Sequence, residues 1–264
     1  MFYETHHKMG QMMHDRIERL YPGKIQRDAF VYGNVKPDLL RKGAKDRHLL
    51  SDTLPFIELT AGFLCTPSYD PEEDAVLLGM VCHHVCDAFC RYHQELSLYR
   101  DYPRHLEYEL GLNAYFLECL RNGLFLSDEG KLVASHVPDD RVSAESAVTV
   151  SAGGACMEVV PVQQVHADAK LVACAPAAGE GRPDAGEPEA GEPEADTAQA
   201  VVPGNRSAIQ AVIPMMLRFH VRRAAYADEP PSFLLDLRSA LEACAELTDA
   251  ILAKRFLPVG SPRA

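Results

Sequence analysis

His83 and Asp87 stand four residues apart in the stretch VLLGMVCHHVCDAFCRYHQ that begins at Val76. Apolar residues fill most of its other positions, the pattern of a buried helix, so the two side chains share one helical face about 6 Å apart along the axis. An ionised carboxylate inside an apolar helix costs several kcal/mol unless it is paired or bound to a cation. A lone His-x3-Asp is more often a hydrogen-bonded core pair, but this one has company. His93 follows Asp87 by six residues, and His105 and Glu109 repeat the four-residue spacing in HLEYE. Upstream, Asp38 closes the turn GNVKPD, and His48 follows ten residues later. Seven side chains of ligand type on neighbouring segments point to a metal, and imidazoles with carboxylates and no thiolate suit zinc.

The elements that must position these groups read as helices. One runs from Thr5 to Leu20, with Thr5 as N-cap and Pro22-Gly23 behind it. A second covers Asp28 to Val35 and ends before Pro37; a third spans Ser51 to Leu64 with Pro55 in its first turn. The fourth starts at Pro71-Glu72-Glu73-Asp74, acids suited to a helix N-terminus, and continues to His93. A fifth runs from Pro103 to before Gly123, and two more, 206–227 and 232–256, complete the core, with Pro214 kinking the earlier one. The Val-rich stretch 131–174 is the one place for a short hairpin, and the predicted fold class is all-α.

Composition divides the chain into a metal-binding helical core at 1–127, a low-complexity segment at 128–205 and C-terminal helices at 206–258. Ala175 to Ala200 is mostly Pro, Gly, Glu and Ala, including AGEPEAGEPEA at 185–195. Such a stretch buries too little apolar surface to offset its ordering entropy and reads as a disordered insert. The formal charge of −12 argues against a broad footprint on nucleic acid and against a stable complex with it. No run of eighteen apolar residues predicts a transmembrane helix, and MFYETHHKMG lacks the regions of a secretory signal; the expected location is cytoplasmic. Cys82, Cys86 and Cys90 form one helical stripe and are assigned to packing. Arg218, Arg222 and Arg223 read as a solvated face.

The series Gly33-Asn34-Val35-Lys36-Pro37-Asp38, His48, His83-x3-Asp87-x5-His93 and His105-x3-Glu109 resembles the ligand series of the zinc-dependent phospholipase C family, over residues 1 to about 122. The wider superfamily also holds the S1/P1-type nucleases. The resemblance implies a helical bundle with two or three zinc ions per chain. Asp38, His48, His83 and Asp87 would hold the first, and His93, His105 and Glu109 the second. The third would share Asp87 and take an N-terminal histidine, matched best by His6, with His14 as a rival. Secreted members complete that site with a freed α-amine, whereas here Met1 precedes a short leader with no such mature end visible in the sequence. His7 and His84 are expected to be supporting or core histidines. The implied activity is hydrolysis of a phosphate ester by metal-activated water, with Asp38 also a candidate general base and a phospholipid the substrate the family name implies. Two alternatives stay open: a nuclease-like phosphodiesterase stacking bases on Tyr92, Tyr102 or Tyr108, and a non-catalytic helical protein stabilised by metal.

Overall fold

The amphipathic and apolar segments form helices in a computed structural model of the chain, which describes residues 1–39, 48–66, 70–134 and 205–256, with side chains of the last stretch described from Val212 onward. The elements are α1 (Tyr3–Leu20), α2 (Arg27–Leu39), α3 (Leu50–Leu64), α4 (Pro71–Asp87), a 3-10 turn (Arg91–His93), α5 (Leu96–Arg100), α6 (Tyr102–Arg121), a hairpin of β1 (Phe125–Leu126) and β2 (Leu132–Val133), α7 (Asn205–Asp228) and α8 (Phe233–Phe256). The fold is all-α, with the antiparallel two-residue strands paired Phe125↔Val133 and Leu126↔Leu132. Of the segment expected to be a disordered insert, residues 128–134 are ordered as the hairpin turn and β2, with the Asp128 carbonyl held by Arg16; residues 135–204, with the rest of the Val-rich stretch, lie outside the described residues. No helix among the described residues is long and apolar enough to cross a membrane.

Several helix ends differ from the sequence expectation. α1 begins at Tyr3, and Thr5 is no cap; it is buried, and its hydroxyl donates to Asn113 Oδ1 at 2.9 Å. α2 runs through Pro37 to Leu39. Proline in a last turn forfeits little, because few helical residues remain to be propped. Pro55 lies six residues into α3 rather than in its first turn. α4 stops at Asp87 instead of His93. There the Ala88, Phe89 and Cys90 N–H groups bond back to His84, Cys86 and Asp87 carbonyls, and the tightened chain carries His93 away from the α4 axis on its own 3-10 turn. α5 went unforeseen; at five residues it is too short for periodicity to mark. Asp70 caps α4, accepting from Glu72 N and Glu73 N at 3.0 Å each.

α4 lies at the centre, with Ala75, Leu78, Val81, Cys82, Val85 and Cys86 buried. Its contact with α2 is unusually close because both helices offer glycine at the crossing. A Cβ on Gly33 would sit 2.1 Å from the Val76 carbonyl oxygen, and one on Gly79 would sit 2.2 Å from that of Phe30. Both approaches meet backbone, which cannot rotate aside. Gly79→Ala is therefore expected to lower stability by about 2–3 kcal/mol or more through overpacking, read as a drop in the chemical-denaturation midpoint; an unchanged midpoint would show that the helices part easily. The same contact brings Asn34 against α4, which matters for the site.

The helices after residue 205 join this core, in one compact unit of Met1–Thr149 with Val202–Ala264. Arg16 of α1 is 1% exposed, grips Asp249 of α8 through both Nη atoms at 2.7 Å, and donates to the Ser127 and Asp128 carbonyls. Cys86 and Cys244 meet sulfur to sulfur at 3.5 Å, and Cys82 Sγ lies 3.6 Å from Thr248 Oγ1; the six described cysteines are buried and free. Arg218 and Arg222 are not a merely solvated face: they pair with Glu242 and Glu246 of α8.

Candidate metal centre

Asp38, His48, His83, Asp87, His93, His105, Glu109 and His6 come together at one end of α4, and the rival candidate His14 does not. His83 Nε2, His48 Nδ1, Asp87 Oδ2 and Asp38 Oδ1 converge. His48 lies 3.2 Å from His83, 2.9 Å from Asp87 and 3.5 Å from Asp38, and His83 lies 3.3 Å from Asp87 and 3.8 Å from Asp38. Tetrahedral zinc with bonds of about 2.0–2.2 Å has donor–donor edges of about 3.3–3.6 Å, so these five separations bracket that figure. Asp38 Oδ2 is buried without a hydrogen-bond partner, an atom that a cation or its water would satisfy. His83 is oriented from behind, its Nδ1–H donating to the Asn34 carbonyl at 2.9 Å, which leaves the Nε2 lone pair facing the cluster.

A second group forms where the 3-10 turn meets α6. His93 Nε2, His105 Nε2 and Glu109 Oε1 make a triangle with sides of 3.0, 3.0 and 2.8 Å. Cys90 also brings its sulfur within 4.8 Å of the ligand atoms of His93 and Glu109. The sequence pattern missed this thiol, because its stripe with Cys82 and Cys86 marks packing. Burial pushes the Cys90 thiol well above its usual range.

The carboxylate of Asp87 divides between groups. While Oδ2 faces His48 and His83, Oδ1 lies 3.1 Å from His6 Nε2 and accepts from the α-amine of Met1 at 2.6 Å. His6, not His14, is the N-terminal histidine at Asp87: His14 Nε2 donates to the Ile25 carbonyl at 2.9 Å and its ring packs on Phe30. No local pattern marks an α-amine here, yet that of Met1 is buried between Asp87 and Glu109, 3.0 Å from the latter. The two flanking histidines divide as well. His84 is buried edge-on to His48, His83 and Phe56, whereas His7 stacks on Tyr3.

The electrostatics favour positive charge at the centre. Burial opposes ionisation of Asp87, yet His93, the α-amine, His6 and His83 hold its carboxyl well below the usual range. Glu109 is likewise held low against its burial by the α-amine and by His105 and His93. The amine is raised despite its burial by Asp87 and Glu109. Burial and the neighbouring His83 bring His6 down to about 4, which keeps it neutral, the form that ligates.

A family model described as zinc dependent phospholipase C matches residues 5–154, more than half of the chain. The chain belongs to the zinc-dependent phospholipase C family. No curated protein and no solved structure matches it. The matched residues include every candidate ligand, and the donor set of imidazoles and carboxylates fits the zinc that the family requires.

One support of this phospholipase C-family centre comes from beyond the matched residues. Asp236 of α8, wholly buried, accepts from Tyr108 OH at 2.7 Å and the Arg91 N–H at 3.2 Å on Oδ2, and from Tyr226 OH at 2.8 Å on Oδ1. Arg91 opens the turn that carries His93, and Tyr108 stands between His105 and Glu109 on α6. One carboxylate thus ties together the two segments that bear the second group. Tyr92 stacks on His105 with ring centroids 5.5 Å apart. Above the groups opens a cleft of about 240 Å³, floored by Asp38, His48, His93, His105 and Glu109 and walled by Phe2, Tyr3, Tyr99, Tyr102 and Leu106.

Proposed function

We propose that this chain is a zinc-dependent phosphoesterase of phospholipase C type that cleaves a phosphodiester with water. The observation that carries the reading is the division of Asp87, whose Oδ1 faces His6 while its Oδ2 faces His48 and His83. In this reading Asp38, His48, His83 and Asp87 would hold one zinc, His93, His105 and Glu109 a second, and His6 with Asp87 a third. Zinc bound there supplies Lewis acidity, which makes water a nucleophile near neutral pH and stabilises charge on a phosphoryl group. Asp38, with Oδ2 free of protein partners at the cleft, is placed to accept the proton of the attacking water. Asn34 and the His48 carbonyl, 3.3 Å from His93 Nδ1, fix the imidazoles.

Aromatic walls over a polar floor suit a phosphate ester with an apolar portion, as a phospholipid has. The nuclease reading loses two of its three stacking residues: Tyr108 is committed to Asp236 and Tyr92 to His105, which leaves Tyr102 at 64% exposure. The open cleft favours catalysis over a closed, purely structural metal site. Residues 128–205 carry none of the proposed ligands, so they are assigned no part in the chemistry.

Zinc-loaded protein incubated with phosphatidylcholine vesicles and with a soluble phosphodiester, in water enriched in oxygen-18, tests the assignment. Water attacks phosphorus and the bond to the leaving alcohol breaks, so the label should appear in the phosphorylated product and not in the alcohol. Label in the alcohol, or no turnover of either substrate, would refute it.

A further inference from the structure

Two neighbouring helices turn apolar rows to solvent. On α3 these are Leu59 and Phe63, 67% and 50% exposed; on α7 they are Ile213, Leu217 and Val221, at 59%, 64% and 64%. A single exposed leucine is ordinary, whereas rows at i, i+4 spacing form a surface. The rows adjoin, because α3 and α7 touch where a Cβ on Gly62 would lie 3.5 Å from Val212. The two helices also run antiparallel. α7 pairs head to tail with α8 through Tyr226–Asp236 and Arg222–Glu242, and α8 runs counter to α4 through Cys86–Cys244 and Cys82–Thr248. Arg255, near the end of α8, reaches both the Leu64 carbonyl and Asp74, so α3 ends where α4 begins. On touching antiparallel helices, the residue after each contact emerges on the same side. Phe63 therefore lies beside Ile213, and Leu59 and Leu217 follow one turn along.

We infer that this α3/α7 face is the interface of a homodimer. The five side chains expose roughly 500 Å² per copy, a large share of the about 800 Å² that each partner buries in a standard interface. A two-fold axis parallel to the helices sets α3 of each copy on α7 of the other, apolar row against apolar row, with every neighbour antiparallel as in a four-helix bundle. A membrane fits less well: the face lacks tryptophan and a rim of lysines, and neither α3 nor α7 lines the cleft. The inference stands apart from the zinc chemistry.

Light scattering coupled to size-exclusion chromatography, at micromolar protein with far-ultraviolet circular dichroism as a fold check, decides the matter. The native chain should elute at twice its mass of 29.1 kDa. Leu217→Glu and Phe63→Glu should each give a helical monomer, with Val221→Lys as a milder change on the same row should either lose helicity. A monomeric native chain would overturn the inference, as would a dimer indifferent to all three row variants. So would a monomer that floats with zwitterionic vesicles and loses them on Leu217→Glu, which would assign the face to a membrane.

Discussion

Asp87→Asn is expected to remove one zinc and the hydrolytic activity together while leaving the helices in place. Asp87 is wholly buried at the end of α4, with one oxygen towards His48 and His83 and the other towards His6. An amide keeps the shape but withdraws a negative charge from between two cation positions, so their mutual repulsion goes uncompensated. It also turns an NH2 group towards one of the two groups, where a ligand lone pair is needed. His93, His105 and Glu109 still hold their own group, so one zinc should stay and the circular dichroism should change little. If Asp87 were only a hydrogen-bonded core acid, the amide would keep most of its bonds. Stability would then fall by about 1–3 kcal/mol with metal content unaltered. Elemental analysis and the initial hydrolysis rate of Asp87→Asn separate the cases, and retained zinc with retained activity would remove the basis of the bridging assignment.

The second large effect lies far from the ligands in sequence. Asp236→Ala strips the acceptor from three donors, the buried Tyr226 hydroxyl and the partly buried Tyr108 hydroxyl and Arg91 N–H. Each unsatisfied group costs about 1–3 kcal/mol, so a total loss of about 3–5 kcal/mol is expected. Freeing the His93 turn from α6 should also weaken zinc binding at the second group by roughly 10–100-fold, seen as loss of one zinc to a weak chelator. Asp236→Asn should rescue most of both effects. Its amide oxygen can face Tyr108 and Arg91, and the Tyr226 hydroxyl can turn to accept from the amide nitrogen. The pair also differ in pH response. Burial lifts the Asp236 carboxyl to about 6 against the hydrogen bonds from Tyr108 and Tyr226. A folded-state value above the unfolded one means that its contribution is full below about pH 4 and is lost as pH rises through about 6. The neutral amide should abolish that component of the pH–stability curve. Equal zinc affinity in Asp236→Ala and the native chain would show that the carboxylate does not position the second group.

The helices were legible because periodicity and proline mark them locally. Pro71 and the acids after it fixed the start of α4, and the return of the periodic pattern after residue 205 marked α7 and α8. Ligand types and spacings brought out His83, Asp87, His105 and Glu109, since i, i+4 pairs on one helix need no tertiary information. What lay hidden was tertiary. Nothing local separates His6 from His14, two turns apart on α1, until the packing of α1 sets one against Asp87 and the other against Ile25. The end of α4 at Asp87 depends on backbone bonds that no side chain announces. Cys90 looked like core because its neighbours in the stripe are core. Asp236 sits in an ordinary amphipathic helix, 145 residues from the Arg91 amide that it holds, and only the fold brings the two together.

The most direct test of the central claim is zinc per chain in protein never exposed to chelator, with phosphodiester hydrolysis followed before chelation, after it and after zinc is returned. At least two zinc ions per chain are expected, because buried imidazoles and acids in three converging groups need cations for compensation. Hydrolysis should disappear with the metal and come back with it. Less than one zinc per chain, or a fully loaded protein that hydrolyses no phosphate ester, would contradict the account.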